Sequence, residues 1–264
     1  MNPADGWLER VTGRLTPVGA PHQVGARVWR LRTETGDVVV KLGPGVADEA
    51  SGLDQLGRIG GAPPVPEIVM AEPDLLVTRW VDQGMRTAVH DEALGRMLAG
   101  LHTAPRAEWG GGSSWIGSCR VDPAVRPDGA AFYRARLEEL AARCGMEGQV
   151  AGMAGRIDEV FPADGPALVH GDLWWGNVLW GADGRPWLID PSVHGGHPEE
   201  DLAMLGLFGT VPAPTWRAYT EVRPLAAGWQ ERVGLFRLVP LLVHTILFGG
   251  GYRGQAETII QHFS

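Results

Sequence analysis

His170-Gly171-Asp172-Leu173-Trp174-Trp175-Gly176-Asn177, followed thirteen residues later by Asp190-Pro191, is the stretch on which the reading of this chain turns. It lies between two short apolar runs, 167–169 and 187–189, both expected to be strands. Transfer of a phosphoryl group to a hydroxyl needs a carboxylate that orients the hydroxyl and takes its proton. It also needs oxygen ligands that hold magnesium against the phosphates. Asp172 suits the first task, and Asn177 and Asp190 suit the second. Two protein ligands suffice, because Mg²⁺ shares its shell with phosphate oxygens. Taken singly, each residue has an ordinary use: Asp172 can cap a turn, Asn177 can satisfy loop backbone and Asp190 can end a strand. All three at this spacing, between two apolar runs, favour the phosphoryl-transfer reading.

Upstream, Lys41 sits inside the apolar run Val38-Val39-Val40-Lys41-Leu42, where a charge costs free energy unless it has a partner or a ligand. Glu49, on the helix expected to follow, is the natural partner, and such a pair in a cleft clamps nucleotide phosphates. The bland alternative is an edge-strand lysine reaching to water. Only seven residues separate Lys41 from Glu49, so the expectation includes a shortened helix or a different pairing.

The segments around these residues form a mixed chain. Val28–Arg32 and Val38–Leu42 flank Thr35-Gly36-Asp37 as a hairpin. Ala50, Leu53, Leu56 and Ile59 recur every three residues, as on one face of a short helix. Runs at 68–70 and 75–81 end at Asp82-Gln83-Gly84, where the lobe boundary is placed, giving regions 1–82 and 83–264. Helical patterns then occupy 93–101, 132–143, 150–160, 199–208, 214–221, 228–248 and 254–263. Residues 103–129 form a long Gly/Pro/Ser-rich loop, a candidate binding loop carrying Trp109 and Trp115. Each of these rings can equally plug a local core.

With 264 residues, 44% of them hydrophobic, the chain can bury one large core or two modest ones. The net charge of −8 argues against nucleic acid as a partner, because phosphate-backbone binding needs concentrated Lys and Arg. Cys119 and Cys144 have no metal-ligand spacing and are too few to staple the fold. Leu235–Phe248 is broken by Arg237, Pro240 and His244 and falls short of the roughly 20 apolar residues that span a bilayer, so it reads as a buried helix. Met1–Asp5 has no basic flank followed by an apolar stretch, so no secretory signal is expected and a cytoplasmic location is.

The motif His170–Asn177 with Asp190 resembles the aminoglycoside-phosphotransferase-like kinases, whose loop is H-G-D-x-x-x-x-N followed by a magnesium-binding Asp. Within them, Ile189–Pro191, Asp201-Leu202-Ala203-Met204, Leu207-Phe208-Gly209, Phe248–Tyr252, Trp115–Ser118 and Glu49–Leu53 resemble the fructosamine kinase (ketosamine-3-kinase) family in order along the chain. The resemblance implies an α+β, bilobal, protein-kinase-like fold with a small β-rich N-terminal lobe and a larger helical one. It also implies ATP and Mg²⁺, and phosphorylation of the sugar 3-hydroxyl of a fructosamine or ribulosamine, free or as glycated lysine on a protein. The product ester is unstable, so the cellular role implied is deglycation, carried out by a monomer. Asp172 would be the catalytic base, Asn177 and Asp190 the metal ligands, Lys41 and Glu49 the phosphate clamp. Trp80 and Val81 would offer backbone groups to adenine, and Asp201 would buttress the catalytic loop, its ordinary use being a helix-start carboxylate. Trp175, where the family usually carries serine, is expected near the sugar, as are His194 and His244, while His170 organises the loop. The nucleotide-covering segment 19–30 departs from the pattern in holding only Gly19 and Gly25.

Three rivals share parts of this reading. A kinase of another small alcohol, such as an aminoglycoside or a choline-like compound, would use the same machinery with a different pocket. An inactive nucleotide-binding regulatory module would explain the sparse glycines but not the retained Asp172, Asn177 and Asp190. A metal-dependent hydrolase on His170, Asp172 and Asp190 would need a further ligand cluster.

Overall fold

The protein is represented by a computed structural model that describes residues 6–263; Met1–Asp5, on which the secretory-signal expectation rests, lies outside the described residues. After helix α1 (Gly6–Thr12), strands β1 (His22–Gly25), β2 (Val28–Leu31), β3 (Val38–Leu42), β4 (Ile68–Glu72) and β5 (Leu75–Arg79) form a five-stranded antiparallel sheet in the order β1-β2-β3-β5-β4. The expected hairpin is β2–β3, in register from Val28↔Lys41 to Leu31↔Val38. Period-two alternation sets the two faces of β3. Val38 and Val40 are fully buried with Trp7, Leu31 and Val77, which sends Val39 and Lys41 to the opposite face. Helix α2 (Val46–Gly57) joins β3 to β4, and its Ala50 and Leu53 pack on Leu76.

The rest is mainly helical: α3 (Ala88–Leu101), α4 (Gly129–Cys144), α5 (Glu147–Gly152), α6 (Ala154–Val160), α7 (Pro198–Leu205), α8 (Ala213–Val222), α9 (Trp229–Phe248) and α10 (Gly251–Phe263). Three short strand pairs punctuate it: β6 (Trp115–Ile116) with β7 (Cys119–Arg120), β8 (Ala167–Val169) with β11 (His194–Gly196), and β9 (Val178–Trp180) with β10 (Pro186–Leu188). The single helix expected over 150–160 is two, joined at the fully buried Met153. Gly152 and Gly155 weaken helix propensity at this point, so core packing of Met153 decides the local path. Leu235–Phe248 does belong to a buried helix, α9. No helix among the described residues is long and apolar enough to cross a membrane.

One core runs through α4, α9 and α10, and a second joins Leu56 and Ala62 of the N-terminal lobe to Leu94, Leu98 and Leu205 of the C-terminal lobe. The long loop also bridges the lobes. Trp109 is a core plug, edge-on to Phe161 at 5.5 Å. Further along, the Ser114 N–H donates to Asp48 Oδ2 on α2 (2.7 Å), and the Trp115 ring lies against Gly45 at the start of α2. The strap is pinned below by Ser113 N–H to the Val193 carbonyl (2.9 Å) and by the Ser192 hydroxyl to the Trp115 carbonyl (2.6 Å). Gly112 is required for that approach: its φ is +80°, and a Cβ there would lie 2.0 Å from the Val193 oxygen.

Candidate active site

The loop from β8 to β9 carries His170–Asn177, ending in a single 3-10 turn over Trp175–Asn177. Gly171 makes the bend possible, because its φ is +79° and a Cβ would collide with the Ser192 carbonyl at 2.1 Å. The imidazole of His170 is fully buried and bonded to the Ile189 carbonyl at 3.0 Å, and burial lowers its pKa, so it braces the loop as a neutral ring. Asp201, from α7, accepts the N–H groups of His170 (2.7 Å) and Gly171 (2.9 Å). Burial alone would raise the Asp201 pKa, but His102 and the His170 backbone more than offset it and bring it below the ordinary aspartate value. The chain of support continues through His102 Nε2 to Asp201 Oδ2 (3.1 Å) and His102 Nδ1 to the Tyr219 hydroxyl (2.9 Å). Both expectations for Asp201 are therefore met in one residue, since it also stands in the first turn of α7.

Asp172 projects from this braced loop. Burial, with Asp190 adding to it, pushes its carboxyl up to about 7, against the opposing pull of the Asn177 amide. The Asn177 Nδ2 group donates to the Asp172 carbonyl at 2.8 Å. Asp190 is the one non-glycine residue among those described with a positive φ, 55°, a conformation Asp tolerates better than most residues. Its side chain, 45% exposed, meets the Lys41 ammonium, which also bonds Glu49 Oε1 at 2.6 Å. The short Lys41-to-Glu49 spacing thus does not prevent the pair. Burial disfavours charge on Lys41, yet the Asp190 and Glu49 carboxylates outweigh it and raise its pKa; Glu49 is raised by its own burial despite Lys41.

Lys41, Glu49 and Asp190 open on a cleft of about 230 Å³ between the lobes, lined also by Val28, Trp80, Val81 and Leu179, whereas Asp172 faces a neighbouring chamber. Val24 and Gly25 at the β1–β2 hairpin cover it, so the glycine-poor segment closes the cleft with a plain two-strand turn. The Trp80 N–H is spent on the Asp37 carbonyl at 3.0 Å, which leaves Trp80 only its carbonyl to offer a base. The donor set offered by Asn177 and Asp190 is all oxygen, which suits Mg²⁺, and the Asp190 carboxylate lines the cleft. Among the described residues no group of three or more His, Cys, Asp or Glu could hold a metal, so the hydrolase reading lacks its cluster.

The residues expected around the sugar divide. The Trp175 indole is half-buried beneath the Arg86 guanidinium, 4.6 Å from the ring centre, beside Trp180 at 6.2 Å and packed on the second core. The exposed ring of the loop is its neighbour Trp174, 39% exposed and edge-on to Phe208 at 6.2 Å. Packing decides between them, because Trp175 sits in the 3-10 turn facing the second core while Trp174 precedes it in extended conformation. His244 stands with Asp172 on one chamber and packs at a tilt against Phe208 (4.8 Å, 49°) and Tyr252 (5.0 Å, 51°). His194 reaches the same chamber but is buried, its ring nitrogens engaged by the Ser192 carbonyl (2.9 Å) and Glu200 (3.2 Å), so it is a strut and not a free contact. Sequence reasoning missed Trp174, His102 and Tyr219. Only the His102 position, closing a helix just before Pro105, hinted at a role.

The chain is similar to several known proteins. A crystal structure from Thermobifida fusca, described as a candidate fructosamine-3-kinase, superposes with a TM-score of 0.85 at 34% identity, covering 100% of this chain and 99% of that one. A choline kinase from Streptococcus pneumoniae shares the fold alone, at TM-score 0.66 and 15% identity, over 97% of this chain and 96% of that one. The protein-ribulosamine 3-kinase of Oryza sativa is 30% identical over 98% of this chain and 81% of its own length. Residues 26–264 match the fructosamine kinase family, and with the braced His170–Asn177 loop in place the chain belongs to that family.

Proposed function

We propose that the protein is an ATP- and magnesium-dependent kinase of ketosamines, phosphorylating the sugar 3-hydroxyl of a fructosamine or ribulosamine, free or on a glycated lysine. The observation that carries the reading is that Lys41, Glu49 and Asp190 line one inter-lobe cleft while Asp172, bonded to Asn177 and close enough to Asp190 to feel its charge, stands on the adjoining chamber, in a chain of the fructosamine kinase family. The related rice and Thermobifida proteins, named for ribulosamine and fructosamine, support the substrate class. The chain would divide near residue 82 into a nucleotide-covering lobe and a substrate-binding lobe, and would act in the cytoplasm to reverse glycation.

ATP would lie under the β1–β2 hairpin, with adenine against the Trp80 carbonyl and Val81 and the phosphates on Lys41. Asn177 and Asp190 would hold magnesium, which supplies neutralisation of the phosphate charge as it shifts toward the leaving ADP. Asp172 orients the sugar hydroxyl and accepts its proton as the oxygen bonds to the γ-phosphorus, while the bond to ADP breaks. A carboxyl pushed up to about 7 is well matched to that proton. Trp174, Phe208, His244 and Tyr252 form an aromatic wall on which the apolar face of a sugar can rest.

The test is ADP release with magnesium and ATP against fructosamines, ribulosamines, an aminoglycoside and choline, with the phosphorylated product identified by mass spectrometry. Ketosamine-dependent release with product at the 3-position is expected. Turnover on choline or the aminoglycoside alone would overturn the substrate, and nucleotide binding without turnover on any acceptor would favour the regulatory module.

A further inference from the structure

Helix α7 has two working faces. Asp201 and Met204 look toward the chamber that holds Asp172, whereas Glu199, Leu202 and Gly206 look the other way, onto a separate cavity of about 320 Å³. Its far walls come from Trp216 on α8 and from Trp229 and Arg237 on α9. That volume lies at the lower end of the range of small-molecule sites, and a mainly apolar lining with a few fixed polar groups is what such sites share.

The chemistry of the lining narrows the ligand. Trp216 and Trp229 are half-buried and pack on each other, with ring centres 5.1 Å apart and planes tilted by 39°, so together they present one aromatic surface to the cavity against which a flat ring can lie. Glu199 brings no free charge, because Arg232 binds both its oxygens, at 2.6 and 2.8 Å. Arg237 differs. Its guanidinium bonds only backbone carbonyls, Gly206 at 2.6 Å and Ala203 at 3.4 Å, and among the described residues it has no carboxylate partner. A guanidinium carries five N–H donors in a fork that matches a carboxylate, so most of its capacity remains. In a chain of net charge −8, a half-buried cation left without a counter-charge, beside two indoles, is a recognition element for an anion.

We propose that this cavity is a binding site for a small aromatic carboxylate, its ring held by Trp216 and Trp229 and its carboxylate by Arg237, separate from the phosphoryl-transfer site. Calorimetric titration with indole-3-acetate tests it, with indole-3-ethylamine as the same ring bearing the opposite charge. Binding of one indole-3-acetate per chain is expected, unaffected by saturating ATP and ketosamine, with the amine binding at least tenfold more weakly. Arg237→Gln should weaken the carboxylate at least tenfold. Because Arg237 also ties the end of α7, Trp229→Leu at the rim serves as a second variant, expected to weaken binding several-fold with unchanged thermal unfolding. The proposal is overturned by absence of binding at millimolar probe, by equal affinity for the amine, by displacement with substrate, or by indifference to Trp229→Leu.

Discussion

Replacing Asp172 with Asn preserves shape and removes only the proton acceptor, so Asp172→Asn should fold and bind nucleotide but lose turnover by about 10²- to 10⁴-fold. Single-turnover assays alongside nucleotide titration separate these outcomes, and near-normal turnover would remove Asp172 from the chemistry. The two adjacent tryptophans make a sharper pair. Trp174→Ala should raise the KM for the acceptor by roughly tenfold, from the 0.5–1.5 kcal/mol that aromatic contacts are worth, without moving Tm. Trp175→Ala should instead cost roughly 2–4 kcal/mol of stability, read by denaturant unfolding, because its ring is packed against Trp180 and Arg86. His197 supplies a pH response. It is buried, with its pKa pushed down to about 4, chiefly by that burial, and Asp164 at 3.6 Å is beyond hydrogen-bond reach. An unfolded histidine titrates near 6.5, so below that pH the unfolded chain takes a proton that the folded protein refuses. Stability is therefore full above about pH 6.5 and falls toward pH 4 by up to roughly 3 kcal/mol. Unfolding midpoints from pH 7.5 to 4.5 should show a flatter acid limb in His197→Asn, which keeps a helix-capping side chain at the start of α7. At this scale the sequence revealed the groups whose chemistry is rare at their position, Asp172, Asn177, Asp190 and Lys41. It could not reveal which of two neighbouring indoles faces water, since that depends on a turn geometry set by distant core residues.

Periodicity did most of the work for the elements. The β2–β3 hairpin, α2 and α9 follow from alternation and apolar spacing, and each was readable because a single face decides its burial. Where a segment answers to two neighbours at once, spacing misled, as at the break between α5 and α6, where Met153 is drawn into the core between two glycines. The 103–129 loop was legible as important but not as a strap, because its contacts to Asp48 and Val193 join residues far apart in sequence. Asp48→Ala removes the carboxylate that holds the Ser114 end of the strap to α2, while Gln55 still bonds Arg106. The expected result is a loss of about 1 kcal/mol in stability and a several-fold higher KM for ATP with little change for the acceptor, since α2 carries Glu49 beside Asp48. Parallel steady-state titrations of the two substrates check it, and equal shifts in both would show the strap acting on the whole fold.

The whole molecule is more tightly integrated than its two-lobed outline suggests. Leu56 and Ala62 share a core with α3, Gly52 of α2 lies within 3.0–3.2 Å Cβ reach of Pro191 and Val193, and the strap adds bonds across the same boundary. In the sequence a boundary near residue 82 rests on a turn signal alone, which says nothing of how much surface holds the parts together. By contrast, residues 82–89, the direct covalent crossing, are exposed along their whole length. It follows that peptide continuity there is dispensable for assembly. A protein nicked once within 82–87 should run as two bands on a denaturing gel yet travel as one particle of undiminished size on a sizing column, and the two pieces, produced separately, should find each other again.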